Sequence, residues 1–309
     1  MKILFFIINE KAGNGSGRKV WNKVKHELDE KKANYRSFQT KHPLHAEQLA
    51  RQLCSMYHDK IKAVIAVGGD GTVHEVVNGM AGYPTIPVGF IPAGSGNDLS
   101  RGLGLPKSPL EALSLILKSR RGKLFDIGQY KLKGSSKKNY FVNSIGTGFD
   151  AAVSKLTNES KIKKYLNKVG LGSLAYVGAV IFLLFTYELT DIVVDLDGVI
   201  IRYENVWFVT LSNHPYYGGG MKIAPKANPK DGLLDITIVY NLSRLKLLLL
   251  LFTVFFGKHT SLREVVQHQG RRVSIRSDDA MLLHADGEVI GTIPVQAEVL
   301  PQRIHILVK

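Results

Sequence analysis

The first third of the chain alternates short apolar runs with helix-spaced segments, with glycine-rich loops where the runs end. Residues 1–8 (MKILFFII) are apolar enough for a strand, residues 13–17 are glycine-rich, and residues 18–32 carry Val20, Trp21, Val24 and Leu28 at helical spacing. The pattern recurs with strands at 35–38, 61–67 and 86–91 and helices at 45–57 and after Thr72. Such alternation predicts a Rossmann-like α/β domain. Its sheet should be mostly parallel and covered by helices, with ligands beyond the carboxyl ends of the strands.

After about residue 125 the grammar changes to strand pairs with short turns. Residues 191–195 and 200–204 alternate around Asp197-Gly198, the turn chemistry of a hairpin. Further strands are expected at 140–145, 206–212, 234–240, 272–276, 281–284 and 295–308. A chain of 309 residues suggests two domains at roughly 150 residues each. The expected division is an α/β domain at 1–127 and a β-rich sandwich at 128–294, with the last strand, about 295–309, free to return to the first. A hydrophobic content of 45% with 22% charge is that of a folded globular protein. One cysteine, Cys54, no Cys/His ligand spacing and no signal pattern lead to the expectation of a reducing, cytoplasmic setting. With 41 Lys and Arg against 26 Asp and Glu, the net charge of +15 asks for an anionic partner: nucleic acid, a nucleotide or a membrane surface.

Two glycine-rich stretches carry the chemistry. In Val67-Gly68-Gly69-Asp70-Gly71-Thr72, three glycines surround one carboxylate at a strand end. Backbone amides can there approach phosphates, the next helix offers its positive N-terminal end, and Asp70 can meet magnesium or its waters. Ile91-Pro92-Ala93-Gly94-Ser95-Gly96-Asn97-Asp98 forms a second phosphate or ribose cradle, with Arg101 able to supply countercharge. A third loop, residues 9–17 (NEKAGNGSG), fits neither G-x-x-x-x-G-K-[ST] nor G-x-G-x-x-G, because Arg18 stands where each needs glycine. His74-Glu75-x-x-Asn78 lacks the second histidine of a zinc hydrolase helix.

Together with Phe125-Asp126-Ile127-Gly128, residues 143–150 (NSIGTGFD), residues 229–235 (PKDGLLD) and residues 284–288 (HADGE), these loops make the chain resemble the diacylglycerol kinase family and its sphingosine and ceramide kinase relatives. The bacterial soluble lipid kinase branch is the nearest in pattern, and the motifs run in order from about residue 2 to 308. The resemblance implies an NAD kinase/diacylglycerol kinase-like nucleotide-binding domain, a C-terminal β-sandwich that takes the lipid, and an active site in the cleft between them. It implies a transfer of the ATP γ-phosphate to a lipid hydroxyl, with ATP and Mg2+ as cofactors. Asp70 would handle Mg-ATP, with Gly68, Gly69, Gly71 and Thr72 near the phosphates. Asn9, Thr40, Glu75, Gly94, Ser95, Gly96, Asn97 and Arg101 would line the nucleotide pocket. Asp286 would be the general base, supported by Glu288 and Asp126, and Asp231 with the Leu233 carbonyl would hold a structural magnesium. One departure stands out: Glu10 occupies the place where the family usually has proline.

Phosphoryl transfer asks the protein for positioning, a hard cation and a proton acceptor, and glycine loops with carboxylates supply those parts. Without the other motifs Asp286-Gly287 would read as an ordinary hairpin turn. The basic runs at Lys118, Arg120, Arg121, Lys123, Lys131, Lys133, Lys137 and Lys138, and at Lys155, Lys161, Lys163, Lys164 and Lys168, lead into an uncharged stretch at 169–187. That stretch is expected to lie in the fold or on an anionic membrane surface rather than to span it. No nucleic-acid module appears, so the basic charge is expected to meet the inner membrane face, touched transiently, while the resemblance implies a membrane lipid as the substrate, with a homodimer left open. A kinase of a soluble acceptor, NAD kinase-like, and a non-catalytic lipid or nucleotide binder are the rival readings.

Overall fold

The computed structural model describes residues 2–119, 121–159 and 172–309. Arg120, Lys161, Lys163, Lys164, Lys168 and the start of the apolar stretch at Val169 lie outside the described residues. The chain divides into two compact units, Met1–Ile127 with Leu300–Lys309, and Gly128–Val299.

The first unit contains the expected parallel sheet. Its strands are β1 (Ile3–Ile8), β2 (Tyr35–Gln39), β3 (Ile61–Gly68) and β4 (Val88–Pro92), ordered β2-β1-β3-β4 and all parallel. The connecting helices are α1 (Ala12–Glu30), α2 (His45–Tyr57) and α3 (Asp70–Met80), followed by the short α4 (Asp98–Gly102) and α5 (Pro109–Lys118). β1 is apolar throughout and β3 is apolar but for Lys62 near its start, because helices cover both faces, the pattern of a buried parallel strand. Trp21, Val24 and Leu28 of α1 pack on Leu4, Phe6 and Ile8, as their helical spacing requires. The glycine-rich stretch 13–17 breaks the start of α1: Gly13, Asn14 and Gly15 have φ of 55°, 55° and 91°.

The second unit is a β-sandwich-like assembly with helices on one side. Its strands are β5 (Lys123–Leu132), β6 (Asn139–Phe141), β7 (Ser144–Gly148), β8 (Thr190–Leu196), β9 (Val199–Ser212), β10 (Leu234–Tyr240), β11 (Val265–Gly270), β12 (Arg272–Arg276), β13 (Leu282–Ala285), β14 (Glu288–Thr292) and β15 (Val295–Ile306). β5 begins and β15 ends in the first unit, where Ile306 pairs with Val88 in parallel. The hairpin expected at 191–204 is β8-β9, turning at Asp197 and Gly198, both with positive φ. β9 is longer than expected, running on through Asn205 to pair with β7 and β10. Its inner residues join a core of Ile145, Leu211, Ile236, Val273 and Leu283. On the other face of β9, Trp207 and Phe208 pack with helices α6 (Phe149–Glu159), α7 (Gly172–Thr186) and α8 (Arg244–Thr253).

The single strand expected at 140–145 is two strands, β6 and β7, separated by Val142 and Asn143. The N–H groups of Val142, Asn143 and Ser144 all donate to the Asp286 carboxylate, and this contact replaces the ladder there. Among the described residues no helix is long and apolar enough to cross a membrane.

Candidate active site

In the first unit three loops meet beyond the carboxyl ends of β1, β3 and β4. The Asn9 N–H donates to the Val67 carbonyl at 2.9 Å, and the Asn9 amide donates to the Thr72 hydroxyl at 3.1 Å. Thr40, just past β2, joins the same end through its N–H to the Ile8 carbonyl at 2.8 Å. The loops approach so closely that side chains would collide. A Cβ on Gly94 would lie 2.4 Å from the Gly69 Cα, one on Gly13 would lie 2.5 Å from the Ala93 carbonyl oxygen, and one on Gly68 would strike Thr72. Glycine at these positions is therefore a packing requirement.

Asp70 opens α3, directly after Gly69, and accepts the Leu99 N–H at 3.2 Å. Gly71 and the buried Thr72 follow in the first turn of that helix, whose positive end favours an anion. The β4 loop is tied to itself: Asn97 accepts the Gly94 N–H and donates to the Gly94 carbonyl, and its own φ is 51°. Ser95 at the tip is exposed. Arg101 pairs with Asp98 and reaches the Gly96 carbonyl. Glu75 has a structural task, since its two carboxylate oxygens accept the N–H groups of Leu44 and Ala46 at 2.9 Å each and cap α2. Glu10 accepts from Arg18 at 3.1 Å and from Gln39 at 2.9 Å, linking the first loop to α1 and β2.

In the second unit Asp286 and Gly287 form the two-residue turn between β13 and β14, with φ of 49° and 89°. The positive φ at both positions is that of a type I′ hairpin, so the turn reading is correct as geometry. Its side chain does not face water as an ordinary turn residue would. One oxygen accepts from Asn143 (2.8 Å) and Ser144 (3.0 Å), and the other from Val142 (2.9 Å). Three N–H groups thus fix the orientation of a carboxylate able to accept a proton. Glu288, at the start of β14, is exposed. Asp126 lies in the first unit, buried, and accepts the Gln302 N–H at 2.7 Å. The Asp231 side chain accepts the Leu233 N–H at 3.0 Å in a tight local turn. No group of three or more His, Cys, Asp and Glu suited to a metal occurs among the described residues.

Residues outside the expected set gather near Asp286. His284 Nε2 lies 3.0 Å from Asp150 Oδ2, both side chains being buried, and Tyr217 stacks on the His284 ring. Gly146 makes room for this pair, since a Cβ there would sit 2.5 Å from both partner atoms. His284, Asp150 and Gly146 lie within the motifs at 143–150 and 284–288, although sequence alone does not show that those motifs meet, and Tyr217 lies outside both. His214 is 1% exposed and neither ring nitrogen has a hydrogen-bond partner. Burial pulls its pKa down to about 4, with the Asp286 charge acting in the opposite direction.

A consequence for stability follows from His214. The unfolded chain takes up the proton near the ordinary value of 6.5 and the folded chain only near 4. Stability is therefore unaffected by this group above about pH 7 and falls on acidification from 6.5 to 4, by a limit of about 3 kcal/mol. Unfolding free energies of wild type and His214→Gln measured from pH 7 to 4 should show a shallower acid slope in the variant. Equal slopes would remove His214 as the source.

Two family models match the chain: the diacylglycerol kinase catalytic domain over residues 3–130, and the YegS C-terminal NAD kinase beta sandwich-like domain over residues 143–308. The chain is 39% identical to the Bacillus subtilis protein named "Putative lipid kinase YtlR", over 98% of each chain. It is 31% identical to a diacylglycerol kinase of Mycobacterium tuberculosis, over 79% of this chain and 76% of that one. A crystal structure described as that of a "putative diacylglycerol kinase" from Bacillus anthracis superposes with a TM-score of 0.78 at 25% identity, covering 100% of this chain and 95% of the other.

Proposed function

The chain belongs to the diacylglycerol kinase family, and on that premise we propose that it transfers the γ-phosphate of ATP to a hydroxyl of a membrane lipid, diacylglycerol or a related lipid. The observation that carries the reading is the meeting of three glycine-bearing loops around Asp70 at the ends of parallel strands. Loops packed this tightly leave backbone amides, rather than side chains, to face phosphate oxygens, and the start of α3 adds its positive end.

The donor set fits a hard cation. Asp70 offers a carboxylate oxygen beside the loops and Asp231 offers another beside the Leu233 backbone, oxygen donors of the kind magnesium prefers. Magnesium, when bound with ATP, supplies neutralisation of phosphate charge. The chain's own residues do the remaining work. Asp70 and the glycine loops orient the phosphates, Asn9 and Thr72 fix the first loop against α3, and Asp286 takes the proton from the lipid hydroxyl. Glu288 and Asp126 are assigned to the same reaction as further carboxylates. The enzyme is assigned to the cytoplasm, with transient contact to the inner membrane face.

The reading is tested with labelled ATP and a total membrane lipid extract. The expected result is one labelled lipid that is released as a phosphate monoester. Label transferred to NAD instead would move the assignment to a soluble acceptor, and ATP binding with no transfer to lipid or NAD would leave a binding protein.

A further inference from the structure

α8 is apolar almost all round, in the sequence RLKLLLLLFT, which is the pattern of a helix enclosed by protein. It lies at the surface of the second unit. Leu247, Leu250 and Val254 face inward and are at most 2% exposed, packing with Trp207 and Phe208. The opposite face carries Leu245, Leu249, Phe252 and Phe256, spaced four, three and four residues apart, so they line one side of the helix and its 3-10 extension. Each of the four is between 60% and 77% exposed.

α7 packs beside it and continues the surface. Its Val180 and Leu184 point inward, while Phe182 and Phe185 are 58% and 67% exposed. Arg244 locks the two helices together: its guanidinium donates to the carbonyls of Leu184 and Tyr187 and lies over the Trp207 ring. The exposed aromatic and leucine side chains are therefore held on a fixed platform. Contiguous apolar surface of this kind on a soluble chain marks a docking face.

The charge around it selects the occupant. From residue 222 to 264 the chain has seven Lys and Arg against three acids, Asp231, Asp235 and Glu264, of which Asp235 is buried and Glu264 is paired with Lys246. Lys222 lies against the Gly257 turn that ends the stripe, and Lys258 follows that turn directly, both next to Phe256. A second copy would bring the same cations to the same rim. An anionic lipid surface would meet them with opposite charge and accept aromatic rings at the depth of the headgroups.

We propose that the paired outer faces of α7 and α8 dock the enzyme on an anionic bilayer, with Leu245, Leu249, Phe252, Phe256, Phe182 and Phe185 entering the interface and Lys222 and Lys258 at the headgroups. The helices have 15 and 10 residues, about 22 and 15 Å long, against a hydrocarbon thickness of about 30 Å. They lie in the surface and do not cross it. The proposal rests on the lipid kinase reading only for where the substrate resides; vesicle binding tests it without turnover.

Full-length protein is sedimented with phosphatidylglycerol-containing vesicles and with pure phosphatidylcholine vesicles. Wild type should bind the anionic vesicles more tightly, and Phe252→Ser/Phe256→Ser should weaken that binding by about a hundredfold, about tenfold for each ring removed from the interface. A Phe256→Trp variant gives a gain of signal. Native Trp21 and Trp207 are buried, so a blue shift on vesicle addition reports the introduced indole. Unchanged binding by the double serine variant, equal binding to both vesicle types, or no blue shift would each overturn the proposal. So would a wild-type dimer, seen by sedimentation without lipid, that the double variant abolishes. Activity of the double variant on a detergent-dispersed lipid should equal that of wild type. Vesicle binding through this face by a chain that phosphorylates no lipid would sustain the docking surface and refute the kinase reading alone.

Discussion

Asp286→Asn is expected to lower kcat for lipid phosphorylation by about a hundredfold to ten-thousandfold, the range for loss of a positioned proton acceptor. The geometry makes this substitution informative. Asn keeps the one oxygen that serves Asn143 and Ser144, but its NH2 group then faces the Val142 N–H, donor against donor. That mismatch is expected to cost about 1–3 kcal/mol of stability. It leaves the turn itself in place, because Asn tolerates the positive φ that Asp286 adopts. Thermal unfolding separates the two effects: a folded variant with a modest drop in Tm and a large drop in kcat supports the base assignment. Near-normal turnover by the folded variant would refute it and leave Asp286 as a brace that holds β13 to the β6-β7 junction. ATP affinity should be little changed, since every residue assigned to the nucleotide remains.

Asp286 also shows where reading the sequence stops. Its turn was legible from Asp-Gly alone, and the alternation of apolar runs made the parallel sheet of the first unit legible strand by strand. Periodicity reports how a segment meets water and core; it does not report which distant segment a side chain will touch. The convergence of Val142, Asn143 and Ser144 on residue 286 spans more than 140 positions, and it also broke one expected strand into two. Glu75 illustrates the same limit from the other side. Its place in the motif after Thr72 gives no hint that its carboxylate caps α2 through Leu44 and Ala46. Edge elements were hard to read for another reason. β11 (VVQHQG) and β14 (EVIGT) mix polar residues and glycine with few apolar positions, so they lack the period that marks β3. Residues 247–257 are mostly apolar in composition, but only the fold separates Leu247, Leu250 and Val254, which are enclosed, from Leu249, Phe252 and Phe256, which are not.

Asp70→Asn carries the other large expectation: a fall in kcat/KM for ATP-dependent transfer of about a hundredfold to a thousandfold, with the fold retained. Local structure should survive because the Asn carbonyl oxygen can still accept the Leu99 N–H, and the glycine contacts around it involve backbone. The lost charge at the first turn of α3 should cost no more than about 1 kcal/mol, the size of a helix-terminus effect. What disappears is the anionic oxygen assigned to the cation that accompanies ATP, so the defect should lie in the magnesium dependence. Raising Mg2+ should recover part of the activity if Asp70 holds the ion, because weaker binding is offset by mass action. If instead kcat/KM falls equally at all Mg2+ concentrations, Asp70 acts by shaping the loop that Leu99 anchors. Asp286→Asn provides the contrast, since its rate loss should not respond to Mg2+. A titration of both variants therefore assigns the two carboxylates to different tasks, one to the nucleotide and one to the acceptor, or shows that the division is wrong.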